Sequence, residues 1–209
     1  MTLPLPKPSL DIQLAEMVAT RLCHDFCSPL STLTALMPQA GEAAARDLLV
    51  ETVAELKARH RLFCAVFGMA DGCEWSHLAT LLEGAPTSHR VRFVLGAAPG
   101  QAPPSPSTVR LLLSALMLAA EALPRGGAVR LACDAEGGFS IMPEGRDAAW
   151  SPPLVELVSG GSLEAALAHG PRRSLAAWTL RLALAERRWL DFALGRDDTV
   201  PPLVISSPR

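Results

Sequence analysis

The chain has 209 residues, with 19 lysines and arginines against 21 aspartates and glutamates and a formal net charge of −2. Charges this close to balance, without a basic cluster, argue against a nucleic-acid-binding protein. Hydrophobic residues make up 49% of the chain but aromatic residues only 5%, so alanine and leucine supply most of the apolar surface and favour helices. The most apolar run, residues 111–123, contains Ser114 and Glu121 and is too short to cross a bilayer, which argues against a membrane partner.

The N-terminus is rich in proline, and the cysteines are few and scattered. We predict a disordered tail over residues 1–9, which lack the apolar centre of a signal peptide. An odd number of cysteines without regular spacing favours reduced thiols and a cytoplasmic location. The five cysteines are Cys23, Cys27, Cys64, Cys73 and Cys133.

Residues 10–37 show the hydrophobic periodicity of an amphipathic helix. At about 100° per residue, apolar side chains gather on one broad arc and polar side chains on the other. His24 lies near the middle of the polar arc, so we expect its imidazole to be exposed on a rigid helix. The predicted apolar arc comprises Ala15, Val18, Ala19, Leu22, Phe26, Pro29, Leu30, Leu33 and Met37. The predicted polar arc comprises Gln13, Glu16, Thr20, Arg21, His24, Ser28 and Ser31.

The neighbours of His24 favour a chemical role over that of an ordinary solvated histidine. Asp25 can accept a hydrogen bond from one ring nitrogen and leave the other lone pair free. Arg21 and Ser28 flank the ring at positions i−3 and i+4 of the same face. Pro29 removes a backbone donor one turn later, and we expect it to bend the helix there.

A second helix is predicted over residues 42–68. Its apolar seam steps alternately by four and three residues, as in a coiled coil. Two antiparallel helices cannot enclose a core alone, so residues 10–70 are predicted to form a homodimeric four-helix bundle. His60 falls on the seam and is predicted to be a packed or interhelical polar residue. The seam comprises Leu49, Val53, Leu56, His60, Phe63 and Phe67.

Beyond a boundary at residues 70–72, the pattern changes to mixed helices and strands. We therefore predict an α+β protein whose residues 71–209 form an α/β sandwich. Helices are expected at 75–83, at 108–123 with Ser107 as cap, at 153–158, after Ser162, and at 172–187. Strands are expected at 90–95, 128–133 and 139–142, with an antiparallel pair at 189–194 and 203–206 around a turn at 195–198 and a proline-rich loop at 98–107.

The run from His24 to Leu30, His-Asp-Phe-Cys-Ser-Pro-Leu, carries a specific pattern. It resembles the H-box of dimeric sensor histidine kinases, in which histidine is followed by an acidic residue, two variable residues, Ser/Thr/Asn, proline and an aliphatic residue. All the fixed positions match. The longer run that begins at Arg21, Arg-Leu-Cys-His-Asp-Phe-x-Ser-Pro, resembles more closely the ChpT-type histidine phosphotransferases of alphaproteobacteria.

That family pairs a kinase-like dimerisation hairpin with a degenerate ATPase-like domain, and it relays phosphoryl groups between receiver domains. The resemblance implies that His24 is the nucleophile that becomes phosphohistidine, and neutral imidazole, with an unperturbed pKa of about 6.5, is a good nucleophile near pH 7. Asp25 would orient the ring and balance its charge.

The resemblance also implies the partners and the absence of a tightly bound cofactor. Arg21 and Ser28 are candidates for hydrogen bonds to phosphoryl oxygens or to the partner's loops, and the surface around Ser31 and Thr32 is a candidate docking site. Mg²⁺ would belong to the acidic pocket of the receiver. The expected partners are a second copy of the chain and the receiver domains of a hybrid histidine kinase and of response regulators.

The passage over residues 111–129 resembles the helix-to-strand connection of kinase ATPase domains, where the helix ends in Pro-x-Gly-Gly, here residues 124–127. In an active kinase that helix presents asparagines, one of which helps to hold Mg²⁺ under ATP. The corresponding positions hold Ser114 and Leu118, and leucine offers no oxygen to a hard cation. This difference argues against ATP binding.

Two further kinase features are missing from the sequence. The strand 139–142 runs into Pro-Glu-Gly-Arg-Asp, without the Asp-x-Gly-x-Gly turn that reads adenine. The one candidate for a glycine-rich lid, Gly160-Gly161-Ser162, is better explained as a helix stop followed by a cap. We therefore expect a phosphotransferase that does not use nucleotide.

Three alternatives stay open at the level of sequence. Cys23, His24 and Cys27 lie close on the helix and could hold zinc, although no fourth ligand is suitably spaced and Cys23 is expected to point toward the apolar side. The chain could be an active kinase with a divergent nucleotide pocket. It could also be a non-enzymatic dimeric regulator that docks on a kinase or receiver.

Overall fold

The protein consists of a helical hairpin followed by a mixed α/β part. The structure, a computed structural model, describes residues 8–68, 73–96, 103–194 and 199–207. The hairpin is formed by α1 (Leu10–Leu36) and α2 (Ala43–Phe67), which pack against each other and are joined through a short 3₁₀ turn. Ser9 caps α1 by accepting a hydrogen bond from the backbone N–H of Ile12. Both predicted helices are confirmed.

The rest of the chain forms a five-stranded sheet with helices packed against it. The sheet order is β1-β2-β3-β5-β4, with β1 parallel to β2 and the other neighbouring pairs antiparallel. The predicted α+β class is confirmed. In chain order the elements are α3 (Trp75–Leu82), β1 (Val91–Leu95), α4 (Pro106–Glu121), β2 (Gly127–Cys133), β3 (Phe139–Glu144), α5 (Pro152–Val158), α6 (Leu163–Ala168), α7 (Ser174–Ala185), β4 (Leu190–Phe192) and β5 (Leu203–Ile205).

Two helix starts differ from the prediction for local reasons. The cap of α4 is Ser105 rather than Ser107, since its side chain accepts from the N–H of Thr108 at 3.1 Å. Pro106 then takes the first helical position, where its missing N–H costs nothing. The predicted helix 172–187 begins instead with a 3₁₀ turn, Pro171–Arg173, before α7.

Some predictions fall outside the residues that the structure describes. These are most of the N-terminal tail (1–7), the boundary at 69–72, the first part of the proline-rich loop (97–102) and the turn at 195–198. Among the described helices, none combines the length and the apolar composition that a bilayer crossing requires.

Helix α4 is the centre of the core. Thr108, Val109 and every residue from 111 to 120 are buried, because α4 packs on β2, β3 and α7 and also against α2. The same hydrophobic core includes Leu14 and Val18 of α1 and Leu62 and Val66 of α2. The end of the hairpin that carries the start of α1 is therefore fixed against the α/β part.

The buried side of α1 is rotated from the predicted apolar arc. Leu14 and Val18 are buried, whereas Ala15, Ala19 and Leu30 are exposed in the single chain. The reason is tertiary: α1 packs on α7 and on the turn before it in addition to α2. Part of the predicted arc is thus left uncovered by the chain itself.

Candidate functional site

His24 lies on the exposed side of α1, as the helical periodicity predicted. Its side chain is 56% exposed, and Asp25 Oδ1 lies 3.6 Å from its Nδ1. On the opposite edge of the ring, Arg172 Nη2 lies 2.7 Å from Nε2. The imidazole is therefore accessible to solvent while each of its nitrogens faces a charged side chain.

The contact with Arg172 indicates which ring nitrogen of His24 carries the proton. A guanidinium only donates hydrogen bonds, so Nε2 accepts and carries no proton. In the neutral ring the proton then lies on Nδ1, on the side of the Asp25 carboxylate. Nε2 is left as the basic nitrogen of the ring.

Asp25 is held in turn by a buried arginine. The side chain of Arg21 is 7% exposed, and its Nε lies 3.5 Å from Asp25 Oδ2. Its Nη1 donates to the backbone carbonyl oxygen of Arg172 at 3.0 Å, and its Nη2 pairs with Glu121. The predicted exposed position of Arg21 is wrong, because the turn before α7 packs over this side of α1 and Glu121 at the end of α4 pairs with the guanidinium.

Pro29 changes the backbone hydrogen bonding of α1 one turn after His24. Proline has no N–H, so it cannot donate to the carbonyl four residues earlier, which is that of Asp25. Arg59 of α2 takes this place, and its Nη1 donates to the Asp25 carbonyl oxygen at 3.0 Å. The proline therefore creates a link between the two helices of the hairpin at the level of the histidine.

A groove of about 650 Å³ opens beside His24. Its walls come from α1, from the loop after α3, from the end of α4 and from the segment between α6 and α7. His89 and Arg90 lie on one wall, and His169 and Arg172 lie on another. The accessible face of the imidazole thus opens into a groove rich in cationic and titratable side chains.

Arg172 reaches His24 because of the way α6 ends. His169 is the C-terminal cap of α6, and Gly170 follows with a φ of +84°, a conformation that favours glycine. Pro171 then opens the 3₁₀ turn that carries Arg172. Sequence reasoning missed this residue because it placed Arg172 inside a regular helix. The Gly-Pro pair after α6 was the available signal for a turn there.

Three of the predicted contact residues lie apart from the groove. Ser28, Ser31 and Thr32 are exposed on α1 beyond His24, and the Thr32 hydroxyl donates to the Ser28 carbonyl at 3.2 Å. From α1 the groove takes Thr20, Arg21, His24 and Asp25. Thr20, four residues before the histidine, was not among the predicted site residues.

The positions that would carry asparagines in a kinase lie inside the core. Ser114 is fully buried, and its hydroxyl lies 2.6 Å from Thr179 Oγ1. Leu118 is buried as well. The stretch that could have been a lid is a helix stop and a cap, as predicted, since the Ser162 side chain accepts from the Ala165 N–H at 3.1 Å.

The cysteines differ in accessibility. Cys23 and Cys27 are exposed, so the expectation that Cys23 points toward the apolar side is wrong. Burial raises the pKa of the Cys73 and Cys133 thiols, so both stay protonated near neutral pH. Within the described ranges, no three Cys, His, Asp or Glu side chains are grouped to share a metal ion.

Comparison with known proteins identifies the family. A sequence model of the histidine phosphotransferase C-terminal domain matches residues 76–196, more than half of the chain. The chain belongs to the histidine phosphotransferase family.

Two relatives extend this match beyond the C-terminal part. The protein phosphotransferase ChpT of Brucella abortus (strain 2308) is 29% identical over 178 residues, which cover 78% of this phosphotransferase and 82% of the relative. A solved structure described as a bacterial phosphotransferase aligns over 98% of both chains with a TM-score of 0.73 and 24% identity. The hairpin and the α/β part therefore occur together in the same fold in another phosphotransferase.

Proposed function

We propose that this phosphotransferase accepts a phosphoryl group on His24 from the aspartyl phosphate of one receiver domain and passes it to the aspartate of a second, in a two-component phosphorelay. The observation that carries the proposal is the exposed imidazole of His24, which lines a groove with cationic walls and has Arg172 beside its Nε2. A cytoplasmic location follows from such partners.

The first step exchanges one bond to phosphorus for another. Nε2 of His24 attacks the phosphorus in line with the bond to the receiver's aspartate, the N–P bond forms as the P–O bond breaks, and the aspartate leaves as a carboxylate. The ring keeps its proton on Nδ1 and becomes cationic, and the Asp25 carboxylate balances this charge. The second step is the same exchange in reverse, with the carboxylate of the second receiver as the attacking group.

Positioning and electrostatic stabilisation supply most of the catalysis in a phosphoryl transfer of this kind. When Nε2 bonds to phosphorus it can no longer accept a hydrogen bond, so the Arg172 guanidinium becomes available to the phosphoryl oxygens. Mg²⁺ would come with the receiver, in keeping with the family resemblance. Ser28, Ser31 and Thr32, exposed along α1 beyond His24, would contact the docked receiver.

We propose that the reaction does not involve ATP. The support is local: Ser114 is engaged with Thr179 in the core, Leu118 is buried, and Ser162 caps a helix. These side chains are committed to packing and capping, which leaves them unable to hold a nucleotide and its Mg²⁺.

We also propose that the active form is a homodimer. Over residues 30–61 of the hairpin, Ala45 is the one buried residue, although aliphatic side chains recur there. Phe26, Leu30, Leu56 and His60 line a groove of about 650 Å³ along this surface. A second hairpin would cover these side chains and complete a four-helix bundle, with His60 between helices.

The test is transfer from a labelled receiver. A receiver domain carrying ³²P-aspartyl phosphate is mixed with the wild-type phosphotransferase and with His24→Ala, and the label on this chain is followed over time. Wild type is expected to gain acid-labile, alkali-stable label, as phosphohistidine does. His24→Ala is expected to gain none while it keeps its fold, because the side chain faces solvent.

Two further mixtures separate the alternative functions. Wild type incubated with labelled ATP alone is expected to stay unlabelled, and labelling of His24 there would identify an active kinase. Receiver binding without transfer, with equal decay of the receiver's label for wild type and His24→Ala, would instead identify a non-enzymatic regulator.

A further inference from the structure

One buried guanidinium reaches both residues that flank the imidazole of His24. Asp25 lies beside Nδ1 and Arg172 beside Nε2. Arg21 contacts each of them, with Nε 3.5 Å from Asp25 Oδ2 and Nη1 donating to the Arg172 carbonyl oxygen at 3.0 Å. Its remaining nitrogen, Nη2, pairs with Glu121 at the end of α4.

We propose that Arg21 is a positioning residue, which holds Asp25 and Arg172 on either side of His24 and so fixes the imidazole for phosphoryl transfer. The inference rests on the proposed function, because it assigns a role within the same site. It replaces the phosphoryl-contacting role expected from sequence, since all three nitrogens of Arg21 are directed at protein groups.

The burial of the Arg21–Asp25 pair shows why both groups depend on each other. Arg21 Nε and Asp25 Oδ2 are buried, and the described residues provide no hydrogen-bond partner for either atom. The ion pair between them is what compensates their desolvation. Without Arg21, the Asp25 and Glu121 carboxylates would lose the cation between them, and their repulsion would drive Asp25 away from its place beside Nδ1.

The geometry requires arginine in particular. The guanidinium directs donors toward a side chain of α1, a carboxylate of α4 and a backbone carbonyl before α7 at the same time, because its N–H groups lie in a fixed planar fork. A lysine ammonium is a point charge on a flexible stem and does not reproduce that fork. Arg21→Lys therefore keeps the charge and removes the geometry.

An arginine that only stabilised the fold would make the same contacts. The test therefore includes a measurement of the tautomer of the His24 ring. In protein labelled with ¹⁵N-histidine, NMR reports the protonation of each nitrogen of His24. Wild type is expected to show a proton on Nδ1 and an unprotonated Nε2. Arg21→Lys is expected to show a mixture of the two tautomers, because neither flanking group is held.

The second readout is the initial rate of phosphoryl transfer from a labelled receiver. Because a displacement of about 1 Å costs roughly 100-fold in rate, Arg21→Lys is expected to lower the transfer rate between about 10-fold and 100-fold. Its affinity for the receiver should change far less. The neutral pair Arg21→Gln with Glu121→Gln removes the Glu121 carboxylate together with its cation, so no repulsion between Glu121 and Asp25 arises. It should show the same slow transfer if Arg21→Lys does not fold.

The matched control is Val18→Ala, which weakens the contact between α1 and the α/β part without touching the network around His24. It should keep the wild-type tautomer and transfer rate. The proposal is overturned if Arg21→Lys and the neutral pair both keep the wild-type tautomer and rate, or if Val18→Ala slows transfer as much as they do.

The tautomer readout also separates this inference from the proposed function. If no protein, wild type included, accepts a phosphoryl group, the relay function fails. A shift of tautomer in Arg21→Lys would still support the positioning of the ring by Arg21, because that readout does not depend on transfer.

Discussion

At the scale of single residues, the link between Arg59 and the Asp25 carbonyl is the contact that Pro29 makes necessary. A buried carbonyl without a donor is costly, and a charged donor makes a stronger hydrogen bond than a neutral one. Because Pro29 has no N–H, Arg59 of α2 can hydrogen-bond to the backbone carbonyl of Asp25, the residue next to His24.

We predict that Arg59→Gln lowers the free energy of unfolding by about 1–2 kcal/mol, because the Asp25 carbonyl loses its donor. In the background of Pro29→Ala the cost should be smaller, since residue 29 regains an N–H for that carbonyl. Urea denaturation at a fixed protein concentration measures both effects. Arg46→Gln, an exposed arginine on the same helix, is the control and should change little.

The double-mutant cycle decides whether the two residues act on the same group. Equal costs of Arg59→Gln with and without Pro29→Ala would show independence and contradict this account of the proline.

Helical periodicity predicted the exposure of a side chain correctly only where no distant part of the chain packs against it. The exposure of His24 followed from helical periodicity, because that face of α1 opens onto a groove. Arg21 stands only 60° from His24 on the wheel, yet it is buried, since the turn before α7 covers it and Glu121 at the end of α4 pairs with it. A helical wheel describes one helix alone, so it cannot show that a residue 100 positions later in the chain contacts that helix.

At the scale of elements, Gly84 sets how closely the loop after α3 approaches α2. A Cβ at this position would lie 2.2 Å from the carbonyl oxygen of Ala58 and 2.8 Å from the backbone N of Arg59. These are backbone atoms of a helix and cannot move aside cheaply. The glycine therefore permits the contact between the hairpin and the α/β part.

We predict that Gly84→Ala lowers the free energy of unfolding by about 1–3 kcal/mol through overpacking. The shift of the urea midpoint at fixed protein concentration measures it. Gly41→Ala is the matched control, because nothing lies within 4 Å of the added Cβ, and it should leave the midpoint nearly unchanged. A Gly84→Ala variant with the wild-type urea midpoint would mean that the loop after α3 is not held at this distance from α2 in solution.

Caps and glycine turns are signals in the sequence for the boundaries of helices and strands. Gly160-Gly161 and Ser162 marked a helix stop and a helix start correctly, because their effect is local in sequence. The start of α7 was misplaced, since Arg172 and Arg173 are compatible with a helix and only the preceding Gly-Pro pair signals the turn. Because of this misplacement, Arg172 was not identified as the residue that contacts Nε2 of His24.

At the scale of the whole molecule, the uncovered half of the hairpin is the feature that the single chain does not explain. Met37 is 62% exposed and Leu48 is 49% exposed in that half. The apolar seam of α2 predicted, from the sequence alone, that the hairpin of a second chain covers this half. The sequence did not reveal that the other half of the hairpin is covered by α4 and α7, because that packing joins distant parts of the chain.

We predict that Val53→Glu converts the proposed dimer into a monomer. Val53 lies on the seam and is exposed in the single chain, so a carboxylate there would be buried without a partner in a four-helix bundle. Light scattering coupled to size exclusion at micromolar concentration measures the mass. Ala54→Glu places the same charge on the next residue, away from the seam, and should remain dimeric. A wild-type protein of monomeric mass would rule out the bundle.

In the proposed relay, the imidazole of His24 alone carries the phosphoryl group between two receivers. The most direct measurement is a rapid-quench chase that begins with a labelled first receiver, this phosphotransferase and an unlabelled second receiver. Label is expected to leave the first receiver, to rise and fall on His24, and then to accumulate on the second receiver. Label that reaches the second receiver equally fast with His24→Ala, or never appears on His24, would contradict it.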